Sequence, residues 1–182
     1  MRSLAVIALV VLAAGVAWAG PDDLAAIQDW PNAWRAKIGY ADLGDFDDGV
    51  SLAVEFDTPE WLFTVGWADA GGTLTDPATA LNYAFDGSYW FAEITYTYRP
   101  DRNPLIYIGA GPGWYRMDGD FRQIGAVPAV TASSDDGCIG GHVQVGFESE
   151  DRRLFGEVEW VFSTEHWSWD SDGLRVFFGY RF

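Results

Sequence analysis

The sequence is poor in the residues from which most small-protein sites are built. Its 182 residues include one Cys and two His, and 11 Lys and Arg stand against 27 Asp and Glu, for a formal net charge of -16. A single Cys excludes an intramolecular disulfide framework and a zinc site of four cysteines. The lack of positive charge argues against a nucleic-acid partner, because binding phosphates requires a basic surface. The length suits one domain.

Long apolar runs are also lacking, except at the N-terminus. Arg2 precedes an apolar stretch that ends in Ala17-Trp18-Ala19, where small residues at alternate positions are typical of a cleavage site. These features predict a secretory signal peptide over residues 1–19, with cleavage near Ala19. The mature chain would be one domain over residues 20–182, and no apolar run in it is long enough for a transmembrane helix.

What the chain has in abundance is a two-residue alternation of apolar and polar residues, which is the period of a β-strand. Eight segments alternate in this way: Trp34–Tyr40, Val50–Phe56, Trp61–Trp67, Trp90–Tyr98, Ile106–Trp114, Ile139–Phe147, Leu154–Phe162 and Leu174–Phe182. Short connections alternate with longer ones, which are expected at 42–48, 68–87, 116–137 and 163–172. This layout predicts an all-β fold, an eight-stranded antiparallel up-and-down transmembrane β-barrel.

The two faces of the predicted strands differ as a membrane barrel requires. One face is apolar and carries aromatic residues at both strand ends, where a membrane meets water. The other face carries small residues and charges of both signs, which can pair inside a narrow lumen. The predicted lumen charges are Arg35, Lys37, Glu55, Glu93, Glu157, Glu159, Arg175 and Arg181. A soluble ligand-binding barrel, the third interpretation, has its apolar face inside.

The C-terminal strand ends on aromatic residues at alternate positions, Phe178, Tyr180 and the final Phe182. Together with the eight segments and the stretch YIGAGPGWY at 107–115, this ending resembles the small outer-membrane barrels of the OmpA/OmpX type. The resemblance implies a location in the bacterial outer membrane, insertion by the barrel assembly machinery, and contact with membrane lipid and lipopolysaccharide. It also implies a filled lumen, since eight strands enclose just enough room for side chains. We expect a monomer that needs no cofactor or metal.

The predicted external loops are strongly acidic, and Arg116 and Arg122 are the basic residues among them. We expect a non-enzymatic barrel with a structural or surface-interaction role through these acidic loops, for a partner that the sequence leaves open. Hard cations such as Ca²⁺ could gather at these carboxylates. The stretch DLGDFDDG at 42–49 nevertheless departs from the spacing of an EF-hand loop.

One cluster in the last predicted loop allows an enzymatic alternative. Glu165, His166 and Ser168 could form a carboxylate, a general base and a nucleophile, similar to the His-x-Ser motif of PagL-type lipid A deacylases. Trp169 stands where an Asn usually follows the Ser of that motif. On an extended strand, the two-residue spacing puts His166 and Ser168 on the same face. The alternative function is therefore lipid A acyl hydrolysis at the outer rim.

Overall fold

The computed structural model describes residues 32–76, 78–100, 105–162 and 164–182. The predicted signal peptide and residues 20–31 lie outside the described part of the chain. None of the described residues belongs to a helix long and apolar enough to cross a membrane. The strands are β1 Ala33–Leu43, β2 Phe46–Asp57, β3 Trp61–Thr75, β4 Asn82–Tyr98, β5 Ile106–Gln123, β6 Thr131–Glu148, β7 Leu154–Phe162, β8 Glu165–His166, β9 Trp169–Asp170 and β10 Gly173–Arg181.

Eight of these strands close into an antiparallel barrel in the order β1-β10-β7-β6-β5-β4-β3-β2. The sheet closes where β1 pairs with β10, in a register that runs from Arg35 opposite Arg181 to Ala41 opposite Arg175. Closure pairs the backbone N–H and C=O groups that an open sheet would leave at its two edges. The prediction of an eight-stranded antiparallel up-and-down barrel is confirmed.

The two ends of the barrel are built differently. The proximal end holds Asn32, the terminal Phe182, and the connections β2–β3, β4–β5 and β6–β7. Its turns are tight, as where the Leu154 N–H donates to the Ser149 hydroxyl at 2.9 Å. The distal end holds the connections β1–β2, β3–β4, β5–β6 and β7–β10. The distal end differs in two ways: the strands β3 to β6 project there, and the β7–β10 connection there contains the strands β8 and β9.

The long loops predicted at the distal end are wrong in extent. The strands β3, β4, β5 and β6 reach Thr75, Asn82, Gln123 and Thr131, and a turn at Gly44–Asp45 joins β1 to β2. Strand pairing continues wherever two backbones can exchange hydrogen bonds. The apolar alternation of the outer face ends earlier, because in the distal parts of these strands the apolar residues, such as Leu74, Phe85 and Met117, are buried on the inner face. The hydrophobic pattern therefore underestimates the length of these strands.

The last predicted loop contains a small hairpin. In it β8 pairs with β9 through Glu165 opposite Asp170 and His166 opposite Trp169. The turn residues Trp167 and Ser168 have φ of 51° and 74°, as a two-residue hairpin with two left-handed positions requires. Neither residue is the Gly or Asn that usually marks such a turn, so the sequence does not reveal it.

Candidate functional site in the lumen and at the distal end

The middle of the lumen is filled by a buried cluster of charged side chains with Glu157 at its centre. Its two carboxylate oxygens lie 3.0 Å from Arg35 Nη2 and 2.7 Å from Lys37 Nζ. Glu55 contacts the same two cations, at 3.4 Å from Arg35 Nε and by a hydrogen bond from Lys37. The Tyr107 hydroxyl accepts from Arg35 at 2.6 Å and donates to Glu157. Two cations and two carboxylates balance in this layer.

A second set of ion pairs lies nearer the proximal end. Arg99 Nη2 lies 3.1 Å from a Glu148 oxygen, and Arg181 Nη1 lies 3.6 Å from Asp57 Oδ2. Asp57 also lies 3.8 Å from Arg35 of the middle cluster. Charges of opposite sign again balance, and the side chains of this layer are at most 10% exposed. Arg181 is the residue of this layer that belongs to the predicted lumen charges.

A third charged layer lies toward the distal end, around Arg175. One guanidinium nitrogen, Nη2, donates to Glu93 and, at 2.7 Å, to Glu159. His142 lies in the same layer, and its Nε2 is 2.7 Å from the Thr95 hydroxyl. The four ionisable side chains belong to β4, β6, β7 and β10, so only closure of the barrel brings them together. This layer is the one in which carboxylates outnumber cations.

Aromatic side chains pack against this layer inside the lumen. Tyr89 stacks on Tyr115 with ring centroids 5.9 Å apart, and Phe91 packs against Phe177 at 6.5 Å. All four are at most 1% exposed. The Arg175 guanidinium lies over the Phe91 ring at 4.0 Å, which joins the charged layer to the aromatic one through a cation–π contact.

The β8–β9 hairpin covers the distal mouth. The Trp167 ring packs edge-on against Phe121 at 4.8 Å, and Trp169 stacks on the same ring at 5.7 Å. The hairpin is also tied to the first distal turn, where Asp45 N–H donates to the Asp170 carbonyl at 2.8 Å. Apolar packing and backbone hydrogen bonds therefore hold this segment across the mouth.

The projecting strands carry an acidic cleft on the distal surface. The cleft is lined by Asp86, Asp118, Asp120 and Asp135, together with Ser133 and Ser134. Arg116 lies 3.0 Å from Asp118 and 3.2 Å from Asp135, and all three side chains are substantially exposed. Four carboxylates therefore line the cleft, and Arg116 contacts two of them. The four carboxylates belong to a larger set of fourteen acidic residues in the predicted external loops: Asp42, Asp45, Asp47, Asp48, Asp69, Asp76, Asp86, Asp118, Asp120, Asp135, Asp136, Glu165, Asp170 and Asp172.

The outside of the barrel is a continuous apolar belt. Aliphatic side chains such as Ile38 and Val65 are 57% and 62% exposed. Aromatic residues border them: Trp34 and Tyr98, both 58% exposed, lie toward the proximal end, and Trp160, 56% exposed, lies toward the distal end. Soluble monomers rarely expose an apolar surface of this extent. The belt matches the lipid-facing surface of a transmembrane barrel, with aromatic residues at both borders.

No protein-family model and no curated protein matches the chain. Solved structures do, among them Ail, the attachment invasion locus protein of Yersinia pestis, in complex with the heparin analogue sucrose octasulfate. That match has a TM-score of 0.53 and 13% identity, and covers 84% of this chain and 100% of Ail. The chain has the fold of the small outer-membrane barrels. Another Ail structure (TM-score 0.48, 15% identity, 84% and 100% covered) and Neisserial surface protein A (0.46, 13%, 82% and 94%) also match.

The residues of the predicted assembly signal lie on the outer face of the barrel. Phe178, Tyr180 and Phe182 are 54%, 40% and 77% exposed, and the last two rings contact each other at 5.3 Å. In the outer-membrane barrel fold this stripe belongs to the lipid-facing belt. Each of the three aromatic side chains therefore points away from the lumen.

The predicted arrangement of His166 and Ser168 is wrong. His166 ends β8 and is fully buried, with Nε2 3.6 Å from Cys138 Sγ, whereas Ser168 is exposed in the hairpin turn. The turn separates the two side chains that an extended strand would have placed on one face. Among the described contacts, no hydrogen bond joins His166 to Ser168 or to Glu165. The geometry required for the lipid A hydrolase alternative is not formed.

Proposed function

We propose that this protein is a non-enzymatic barrel of the bacterial outer membrane with a closed lumen and an acidic surface for interaction outside the cell. The observation that carries this proposal is the apolar belt around an interior of paired charges. Exposed Ile38 and Val65 on the outside, and buried Arg35 and Glu157 inside, are the reverse of a soluble barrel. An apolar outer face and a charged inner face are both favourable only when membrane lipid surrounds the barrel.

The orientation follows from the two ends of the barrel. Outer-membrane barrels carry their larger connecting structures on the external side, and here the projecting strands β3 to β6 and the β8–β9 hairpin lie at the distal end, so the proximal end faces the periplasm. The outward stripe of Phe178, Tyr180 and Phe182 supports recognition by the barrel assembly machinery. Membrane lipid and, in the outer leaflet, lipopolysaccharide would cover the belt. One closed barrel leaves no open sheet edge for pairing, which favours a monomer.

The lumen does not favour a role in transport. Eight strands enclose about enough volume for side chains, and here three charged layers and an aromatic layer occupy it. Ion pairs hold each charged layer across the lumen, and the β8–β9 hairpin lies over the distal mouth. We therefore expect no conductance above that of a bare bilayer, and place the function at the distal surface.

The charge of the distal surface indicates the class of partner. Ail, which shares the fold, was crystallised with a heparin analogue, sucrose octasulfate, which is a polyanion. This chain instead presents a cleft lined by Asp86, Asp118, Asp120 and Asp135, of which Arg116 contacts two. Like charges would repel a sulfated sugar. We therefore infer a cationic partner, such as a basic protein segment.

Membrane location can be tested by fractionation and by gel mobility. We expect the protein in the outer membrane, requiring detergent for solubility, and migrating differently before and after boiling because a closed barrel resists unfolding. Deletion of Phe182 should reduce insertion and leave protein in the periplasm. Recovery of wild-type protein in the soluble periplasm, with identical migration in both samples, would contradict the proposal.

The partner class can be tested with defined probes. Protein in detergent is titrated with an oligolysine peptide and with heparin at low and physiological salt. We expect salt-sensitive binding of oligolysine, which weakens when Asp86, Asp118, Asp120 and Asp135 are all changed to Asn, and no binding of heparin. Asp151→Asn at the proximal end is the matched control and should bind as wild type. Heparin binding, or oligolysine binding unaffected by the quadruple change, would refute the inference.

A further inference from the structure

We propose that the distal charged layer of the lumen is a binding site for a divalent transition-metal ion such as Zn²⁺, with Glu93, His142 and Glu159 as ligands. One ring nitrogen of His142 and one carboxylate oxygen from each Glu lie within 4.8 Å of one another. The three residues are 3%, 0% and 0% exposed, respectively. This site is independent of the acidic distal surface and goes beyond the function proposed above.

Each of the three side chains has one polar atom engaged and one without a partner. Arg175 binds one oxygen of Glu93 and one of Glu159. The second oxygens of both carboxylates, and Nδ1 of His142, have no hydrogen-bond partner among the described residues. Buried polar atoms are almost always paired in folded proteins. Each of the three residues therefore keeps an electron-pair donor that no described residue uses, and the three side chains are close enough for one ion to bind them all.

The Thr95 hydroxyl prepares His142 for this role. It lies 2.7 Å from Nε2. In the tautomer with its proton on Nε2, the Nε2–H donates a hydrogen bond to this hydroxyl, and Nδ1 keeps a free lone pair. A histidine that binds a metal usually donates its other N–H in this way, which fixes the tautomer and the orientation of the ring. Thr95 is thus a positioning residue of the proposed site.

Glycines on β5 allow the ligands to meet. β5 lies between β4 and β6, and its residues in register with the ligands are Gly113, opposite Glu93, and Gly111, opposite His142. A Cβ atom at Gly113 would lie 2.4 Å from the Tyr115 hydroxyl oxygen, so even an alanine there would displace the Tyr115 ring. With no side chain on β5 between them, Glu93 and His142 approach across that strand.

The local charge favours a cation. Two carboxyl groups, those of Glu93 and Glu159, face the single guanidinium of Arg175, whereas acidic and basic groups are equal in number in the two other charged layers. Mixed imidazole and carboxylate ligands suit Zn²⁺, Fe²⁺ or Mn²⁺ better than Ca²⁺ or Mg²⁺, which take oxygen ligands. Zinc bonds of roughly 2.0–2.2 Å allow ligands about 4.4 Å apart at most, so the ligand atoms need to approach by a few tenths of an ångström.

The test measures metal held inside the folded barrel. Protein purified from membranes is unfolded, refolded in detergent with Zn²⁺ or with Mg²⁺, and washed with EDTA before metal analysis. Because the aromatic layer and the hairpin cover the site, wild type should retain about one Zn²⁺ per chain and no Mg²⁺. His142→Ala and Glu159→Gln should lose it, and His166→Ala, which removes the other His of the chain, should retain it.

Further measurements keep the proposal falsifiable if a ligand variant does not fold, which gel mobility would show. Thr95→Val leaves all three ligands in place and should weaken retention by roughly 10–100-fold. Wild type refolded with Zn²⁺ should also unfold at a higher temperature than wild type refolded with Mg²⁺. Wild type without retained Zn²⁺ would overturn the proposal. Equal retention in folded His142→Ala would also overturn it, since the ion would then be adventitious and bound elsewhere, as at the acidic cleft.

Discussion

The middle of the lumen and its distal mouth are both closed, but by different interactions. In the middle, Arg35, Lys37, Glu55 and Glu157 interlock as ion pairs. At the mouth, Trp167 and the aromatic side chains around it pack without charges. The first set of side chains projects from strands of the barrel, whereas the second is centred on a hairpin laid across it.

The difference shows what each kind of contact requires of the backbone. A buried charge is tolerated only when a partner stands at a defined distance, and strand register supplies that distance, as for Arg35 directly opposite Glu55. Aromatic packing tolerates a range of distances and angles, so a connection such as the β8–β9 hairpin can provide it. We therefore expect the middle of the lumen to be the more sensitive region.

Breaking the middle cluster should have the largest effect. Glu157→Ala removes the carboxylate shared by Arg35 and Lys37 and leaves buried positive charge in excess, which should lower the free energy of unfolding by about 3–5 kcal/mol. Urea unfolding in lipid vesicles, followed by gel mobility, measures this loss. Glu150→Ala, at an exposed proximal position, is the control. A loss below that of typical surface changes would show that the cluster does not hold the lumen.

Breaking the distal mouth should have a smaller effect. Trp→Ala at a fully buried site costs roughly 3–5 kcal/mol, and because Trp167 is half-buried we expect about 2 kcal/mol for Trp167→Ala. Glu165→Ala, exposed on the same hairpin, should change stability little. The same unfolding assay applies, with tryptophan fluorescence as a second probe. A larger loss for Trp167→Ala than for Glu157→Ala would reverse the comparison.

The pair Glu159 and Arg175 tests whether strand register determines which charged side chains interact in the lumen. The two residues are directly opposite on β7 and β10, and a double-mutant cycle with Glu159→Ala and Arg175→Leu should give a coupling energy of about 1 kcal/mol. The measurements are made in EDTA, so that metal does not contribute. Because Glu93 also binds Arg175, the coupling should be smaller than the loss from Glu157→Ala. Additive single losses would show that the two are not energetic partners.

The smallest effect is expected at the exposed turns. Hydrogen bonds from the Thr79 hydroxyl and Ala78 N–H to Asp76 hold the pKa of this distal carboxyl below its usual value of 3.8. The ionised form is therefore the one that the turn stabilises. The contribution of ionised Asp76 to the stability of this turn is fully present above its usual pKa, and it is lost as the pH falls through the lowered pKa.

We expect Asp76→Asn to accelerate amide hydrogen exchange at Ala78 severalfold near neutral pH, and to remove the acid dependence of that exchange. Asp151, at the proximal end, has a pKa lowered by similar contacts with Ser149 and Arg153, so Asp151→Asn should loosen only its own turn. Exchange at Ala78 that is insensitive to Asp76→Asn would show that the backbone alone fixes the distal turn.

Much of the fold could be predicted because strand geometry is local. The alternation around Arg35 and Lys37 assigns both side chains to one face, whichever strands lie beside them. The same alternation predicts that Glu93, His142 and Glu159 lie on the inner face. It did not extend to the distal parts of β3–β6, because the apolar residues there, such as Leu74, Phe85 and Met117, are buried on the inner face and the alternation of the outer face stops.

What the sequence by itself determined is therefore the eight-stranded plan, the direction of its two faces, and the acidity of one end. The tertiary structure decided which inner residues meet: Glu93 reaches Glu159 and Arg175 only because closure brings β4 opposite β7 and β10. It also decided that His166 turns inward to Cys138 while Ser168 stays in solvent, since two left-handed residues reverse the chain between them. Alternation fixes a side chain's face within one strand, but contacts across a lumen depend on strand order, register and closure.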